Sequence, residues 1–301
     1  MTPLYLAGYD GSRASRAAVS FATRLAEATG AEVLVVDVYE TAAHVGVRGV
    51  ALPGADLVEA DIRRSVERRL EELTEPAIQR IAHPAASAAE GLHRLAEDRN
   101  AALVVVGRTH RGHIGRHTRG SVAGRLLHGL HCPLAVVPDG VMTTPRTIAV
   151  GYDDSPEAQA ALTFATDLAE RLDARLVLAG VAEPGVYAHP KISPDAWGRI
   201  WEGRSSSLED AATRLRAGGP DVTCHLMAGD AAHELLDFAE DGIDMLVLGS
   251  RGFGPLHATI AGSVSSRVAD GAPCPVIVVP RTADAASRPA RDTGEAVGVA
   301  S

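Results

Sequence analysis

Gly249-Ser250-Arg251-Gly252, followed ten residues after Gly252 by Gly262-Ser263, are residues whose types and spacing can do recognisable chemistry. They come after the apolar run Leu246-Val247-Leu248, so Gly249 ends a strand at a place where the chain must turn sharply. Gly252 has no side chain, which lets an anion approach its backbone. Gly262 and Ser263 open a helix, whose free N–H groups and dipole attract negative charge. The Ser263 hydroxyl and the Val264 amide would face the same anion, with Ser265 as a further donor and Arg251 as a mobile positive charge. This is chemistry for holding phosphate. The lysine-bearing loop Gly-x4-Gly-Lys-Ser/Thr is absent, and Lys191 is the only lysine of the chain. Two glycines alone could merely turn a chain; a buried strand before them and a helix start after them favour binding.

The elements that must position this loop recur. Gly8-Tyr9-Asp10 returns as Gly151-Tyr152-Asp153, Phe21-Ala22-Thr23 as Phe164-Ala165-Thr166, and Gly120-Ser121-Val122 as Gly262-Ser263-Val264. The offset is 143 at first and 142 later, so one extra residue lies between Asp98 and Gly107. Such ordered self-similarity marks a duplicated domain. We assign residues 1–140 to a first domain, 141–280 to a second with the complete loop, and 281–301 to a disordered tail with no hydrophobic periodicity. Each copy alternates strand and helix. In the second copy strands fall at Thr147–Tyr152, Arg175–Val181, Val222–Met227, Met245–Leu248 and Val276–Val279. Helices run from Ser155-Pro156 to about Leu172, from Pro194 to about Ala217, over Ala231–Asp241 and over Ser263–Asp270. Five strands joined by helices imply an α/β fold with a parallel sheet covered on both faces.

Bulk properties narrow the function. Hydrophobic residues make up 46% of the chain and aromatics 4%, so both cores are aliphatic. Net charge is −9, with 16 basic and 16 acidic residues in 1–140 against 10 and 19 in 141–280, which gives no surplus for general nucleic-acid binding. No apolar stretch is long enough to span a membrane and no signal peptide is evident. Cys132, Cys224 and Cys274 are odd in number and far apart, as expected of packed thiols in a reducing cytoplasm.

With these residues in hand, the chain resembles the universal stress protein family. Gly249-x2-Gly252-x9-Gly262-Ser263 is similar to that family's nucleotide loop, Cys274-Pro275-Val276-Ile277-Val278-Val279 to its last strand, and Gly151-Tyr152-Asp153-Asp154-Ser155 to its first strand and turn. Gly229-Asp230 matches a further family feature. The resemblance covers nearly all of residues 3–280, twice. It implies two tandem open sheets of five parallel strands in order 3-2-1-4-5, with ligand bound at the switch point between strands 1 and 4. It also implies that Asp153 meets the adenine–ribose end of ATP and that backbone at Val181 meets adenine. Asp153 could otherwise serve the cap of the helix after it. Asp153, Asp154 and Asp230 could share one Mg²⁺ with the phosphates.

The first copy departs from the pattern. Gly107, Gly120, Ser121 and Val122 stand where the loop requires, and Asp10 and Val38 match the first- and second-strand positions. His110 replaces the second glycine, Ala86-Ser87 replaces Gly229-Asp230, and Ala123 replaces Ser265. Arg108, Arg111, Arg116 and Arg119 are gained and could hold a polyphosphate. This copy is therefore left open to binding nucleotide differently, weakly or not at all. His110, His113, His117, His128 and His131 lack the partners of a metal site and read as solvated loop residues.

The reading that follows is an ATP-binding, nucleotide-dependent stress-response or signalling module rather than a fast enzyme. A slow ATPase or phosphotransferase of similar topology is the rival. The final strands, Leu134–Val137 and Val276–Val279, are apolar sheet edges of the kind that tend to be paired, and the family resemblance implies that they pair antiparallel within one chain. A protein partner is expected but not identified, and a homodimer is left open.

Overall fold

The computed structural model describes residues 2–41, 55–75, 77–108, 121–141, 143–183, 194–217, 220–250 and 262–281. Arg251, Gly252, His110, Gly120 and the expected tail after Arg281 therefore lie outside the described residues.

The chain order is β1 (Leu4–Gly8), α1 (Arg13–Thr29), β2 (Glu32–Tyr39), α2 (Ala55–Glu71), β3 (Ile78–Pro84), α3 (Ala88–Asp98), β4 (Leu103–Gly107), α4 (Val122–Leu126) and β5 (Leu134–Val137). The second half repeats it as β6 (Thr147–Gly151), α5 (Pro156–Leu172), β7 (Arg175–Ala182), α6 (Pro194–Arg216), β8 (Val222–Ala228), α7 (Ala231–Glu240), β9 (Met245–Gly249), α8 (Ser263–Gly271) and β10 (Val276–Val279). Local chemistry explains the boundaries. Ser12 and Ser155 cap α1 and α5 by accepting from the N–H groups of Ser15 and Ala158. Gly30, at φ 70°, ends α1 in the left-handed conformation that glycine adopts freely.

All ten strands of the described residues lie in one sheet, in the order β3-β2-β1-β4-β5-β10-β9-β6-β7-β8. Each half keeps the expected order 3-2-1-4-5. The two five-stranded halves are joined into one sheet by the expected antiparallel pairing of β5 with β10: Val136 opposes Val276, Ala135 opposes Ile277 and Leu134 opposes Val278. The cause is visible in the two strands. Both are four-residue apolar runs, buried throughout, whose backbone groups would otherwise form open edges under covering helices.

Strand alternation gives the sheet two apolar faces. On one, Tyr5 and Ala7 of β1 pack with Phe21 and Leu25 of α1 and Leu70 of α2, continuing to Leu162 and Leu168 of α5. On the other, Leu6 packs with Leu92 and Leu95 of α3, continuing to Leu235 of α7 and Val268 of α8. Both cores run through the seam between the halves.

Candidate functional site

The carboxyl ends of β6 and β9 are neighbours, yet the chain leaves β6 toward α5 on one face and β9 toward α8 on the other. The helices diverge and open a crevice at this switch point. A cavity of about 410 Å³ fills it in the second half. Asp153, Val181, Gly249, Gly262, Ser263, Val264 and Ser265 all stand on its wall, so the structure brings together every second-half site residue expected from sequence that it describes.

At one end lies the start of α8. Its N-cap is Gly262, with φ −62° and ψ 156°, and among the described residues no side chain caps the first turn. The N–H groups there have no i−4 carbonyls and, among the described residues, no side-chain acceptor, and they carry the positive end of the helix dipole. Ser265 behaves differently from expectation. Its buried hydroxyl donates to the Gly249 carbonyl at 2.8 Å, tying the helix start to the strand end instead of serving a ligand. The reason for Gly249 also differs. A Cβ there would lie 2.5 Å from the carbonyl carbon and oxygen of Glu157, so glycine is required by close approach of the first turn of α5, not by a sharp turn.

At the other end Asp153 does two things. Its Oδ1 accepts from the Ser155 N–H at 3.1 Å and from the Ser155 hydroxyl at 2.5 Å, bracing the residue that caps α5. Its backbone carbonyl accepts from Arg204 Nη1 at 2.8 Å. Arg204 and Ile200 on α6, Glu183 after β7 and Arg267 on α8 also line the cavity, and sequence reasoning missed all four. Glu183 accepts from the Ala231 N–H at 2.9 Å, at the start of α7. Arg267 pairs with Asp230 at 2.9 Å. Asp230 also caps α7 by accepting from the His233 N–H at 3.0 Å. The Arg267 guanidinium, aided by that N–H, holds the Asp230 carboxyl below its ordinary range. No sequence spacing announces a pair 37 residues apart; Gly229-Asp230 alone was legible.

The suggested Mg²⁺ set is not assembled. Asp154, at φ 67°, accepts from the Tyr152 hydroxyl at 2.9 Å and is absent from the cavity wall. Among the described residues, no group of three or more His, Cys, Asp or Glu stands where it could hold a metal.

The first half is built alike but finished differently. Gly107 repeats the close approach, with a Cβ there only 2.3 Å from the backbone of Ala14. Asp10 accepts from the Ser12 N–H at 2.9 Å, as Asp153 does from Ser155, and Val38 packs toward α3. Ser121, however, is the N-cap of α4, and its hydroxyl accepts from the Gly124 N–H at 2.9 Å. The helix thus begins one residue later than α8, and its own serine takes a first-turn amide. Arg108, expected to hold phosphate, instead donates from Nη1 to the carbonyl of Ala272 in the other half. Asp37 is buried and bound by Arg69 at 2.6 and 2.9 Å, where the second half has Gly180 packed under Leu208. Burial pushes the Asp37 carboxyl above its usual range and outweighs the pull of Arg69. Of the five histidines read as loop residues, His128 bonds the Gly124 carbonyl at 2.8 Å, while His110, His113 and His117 lie outside the described residues. Among the described residues, no helix is long and apolar enough to cross a membrane.

A model of the universal stress protein family matches the chain twice, over residues 5–138 and 144–280. A universal stress protein of Mycobacterium tuberculosis strain H37Rv is 28% identical over 300 residues, covering 90% of this chain and 93% of the relative. One from Mycolicibacterium smegmatis is 33% identical over 186 residues, covering 60% of this chain and 62% of the relative. The crystal structure of a universal stress protein from Archaeoglobus fulgidus superposes with a TM-score of 0.70 at 20% identity, over 92% of this chain and 98% of that one, which speaks for the fold. Two matches that together span almost all of the described fold, each half with the strand order 3-2-1-4-5, place this chain in the universal stress protein family.

Proposed function

We propose that the second-half cavity binds a nucleotide, ATP above all, and that the protein acts as a nucleotide-dependent stress-response or signalling module rather than as a fast enzyme. The observation that carries this reading is the uncapped start of α8, opening onto a cavity at the switch point of the sheet. The N–H groups of Ser263 and Val264 would receive phosphate oxygens, with the Ser263 hydroxyl beside them. Asp153 and the backbone at Val181 would take the ribose and adenine, with Ile200 supplying an apolar wall. Mg²⁺ belongs to this proposal only as the ion that travels with the phosphates. The three free thiols support a reducing cytoplasm as the setting; burial pushes Cys132 and Cys274 up to about 12 and Cys224 up to about 11.

The test is to denature protein purified from cells and identify any released nucleotide, then titrate the stripped protein with ATP, ADP and AMP by calorimetry. Recovery of adenine nucleotide and a one-site isotherm for ATP are expected. No release and no heat with any of the three would sink the reading. Bound ATP should persist for many minutes, whereas turnover above about 1 s⁻¹ would establish an ATPase instead.

A further inference from the structure

We infer that Arg108, a residue of the first half, is a positioning residue for the second-half site: it holds α8 from the end opposite the phosphates. This rests on the nucleotide reading of the cavity. Arg108 directly follows Gly107 at the end of β4, and its own N–H is fixed by the Val137 carbonyl at 2.7 Å. From there the guanidinium crosses the β5–β10 seam and donates to the carbonyl of Ala272, the C-cap residue of α8. Ala272 is wholly buried. A helix ends in carbonyls without intrahelical donors and carries negative charge there. Arg108 supplies both a donor and a cation at that point.

The arrangement has a direction. The residue related to Arg108 by the internal repeat is Ser250, directly after Gly249, with its N–H held by the Val279 carbonyl at 2.9 Å. Its hydroxyl is buried and has no partner among the described residues. The first-half loop thus reaches into the second half, and the short serine makes no matching bond in return. Because α8 has only nine residues, a shift at its C-terminus is carried to the amides of Ser263 and Val264 at its start. The second-half site is in this sense completed by the first half, and the strand end that carries the altered glycine loop is coupled to it.

The full-length protein is compared with Arg108→Ala, Arg108→Lys and, as a control for lost positive charge, Arg68→Ala on the exposed face of α2. Two quantities are read: ATP affinity by calorimetry, and amide hydrogen exchange along α8 without ligand. Arg108→Ala should weaken ATP roughly three- to tenfold and speed exchange in the last turn of α8. Arg108→Lys, which keeps a donor and a charge, should recover most of both, and Arg68→Ala should change neither. Unaltered affinity and exchange in Arg108→Ala would overturn the inference, as would failure of lysine to restore either. Faster exchange with unaltered affinity would reduce Arg108 to a structural residue. If the unaltered protein binds no nucleotide, the proposed function fails and the positioning claim falls with it, while unchanged exchange at α8 would separately show that Arg108 holds nothing.

Discussion

Asp230 serves two masters, the amide of His233 and the guanidinium of Arg267. A carboxyl whose folded pKa is depressed contributes fully above its unfolded value of about 3.9 and loses that contribution as pH falls through the folded value. Asparagine at this position keeps the cap and removes the charge. The stability gap between the unaltered protein and Asp230→Asn should therefore be level near neutrality and close in acid, as read by urea denaturation from pH 7 to pH 2. A gap unchanged at pH 2 would show that charge is not its source. Gly249 makes a sharper demand, because a methyl group there meets the backbone of Glu157. Gly249→Ala should cost about 1–3 kcal/mol. Gly198→Ala in α6, where a Cβ meets nothing within 4 Å, should gain roughly 0.5–1 kcal/mol by the same measurement. At this scale Gly249, Gly262 and Asp153 were legible as cavity residues because the loop spacing and the internal repeat mark them. Arg204 and Arg267 were not, since what makes them cavity residues is contact with Asp153 and Asp230 across the fold.

Helix α8 begins with glycine as its cap and α4 with serine, a difference between the two halves that the described residues show. An N-cap hydroxyl takes one first-turn amide, so the same group that steadies a helix competes with a bound anion. Gly262→Ser should accordingly raise stability by a few tenths of a kcal/mol while weakening ATP binding. Denaturation and calorimetry on one preparation would read both; a gain in affinity would contradict the phosphate role of α8. The elements themselves were well marked by periodicity and caps, and the second-half boundaries fall within a residue or so of the expected ones. Ser263 is the first helical residue, where the sequence places the start of that helix. The sequence shows Gly-Ser in both copies and gives no sign that the cap moves from one residue to the next.

Across the whole molecule, the seam joins two apolar cores that each extend through both halves. Ile277 is fully buried opposite Ala135. Ile277→Ala should cost about 2–5 kcal/mol and still leave a single unfolding transition. Two well-separated transitions in the unaltered protein would show that the halves do not share a core. Two apolar edges signalled that the final strands would be paired and the family resemblance implied with what, but the reach of Arg108 across the seam was not foreseeable, because nothing in a loop arginine says which neighbour it will find. The seam also has a consequence for how the protein responds to dilution. Residues 138–146 tether β5 to β6 and hence the two halves, and a short tether replaces free protein concentration with an effective concentration in the millimolar range. The intact chain should keep the same melting temperature when diluted a hundredfold. Cut within 139–145, its halves should still travel together at micromolar concentration, but their melting temperature should now fall with each dilution, as for any pair held only by mass action.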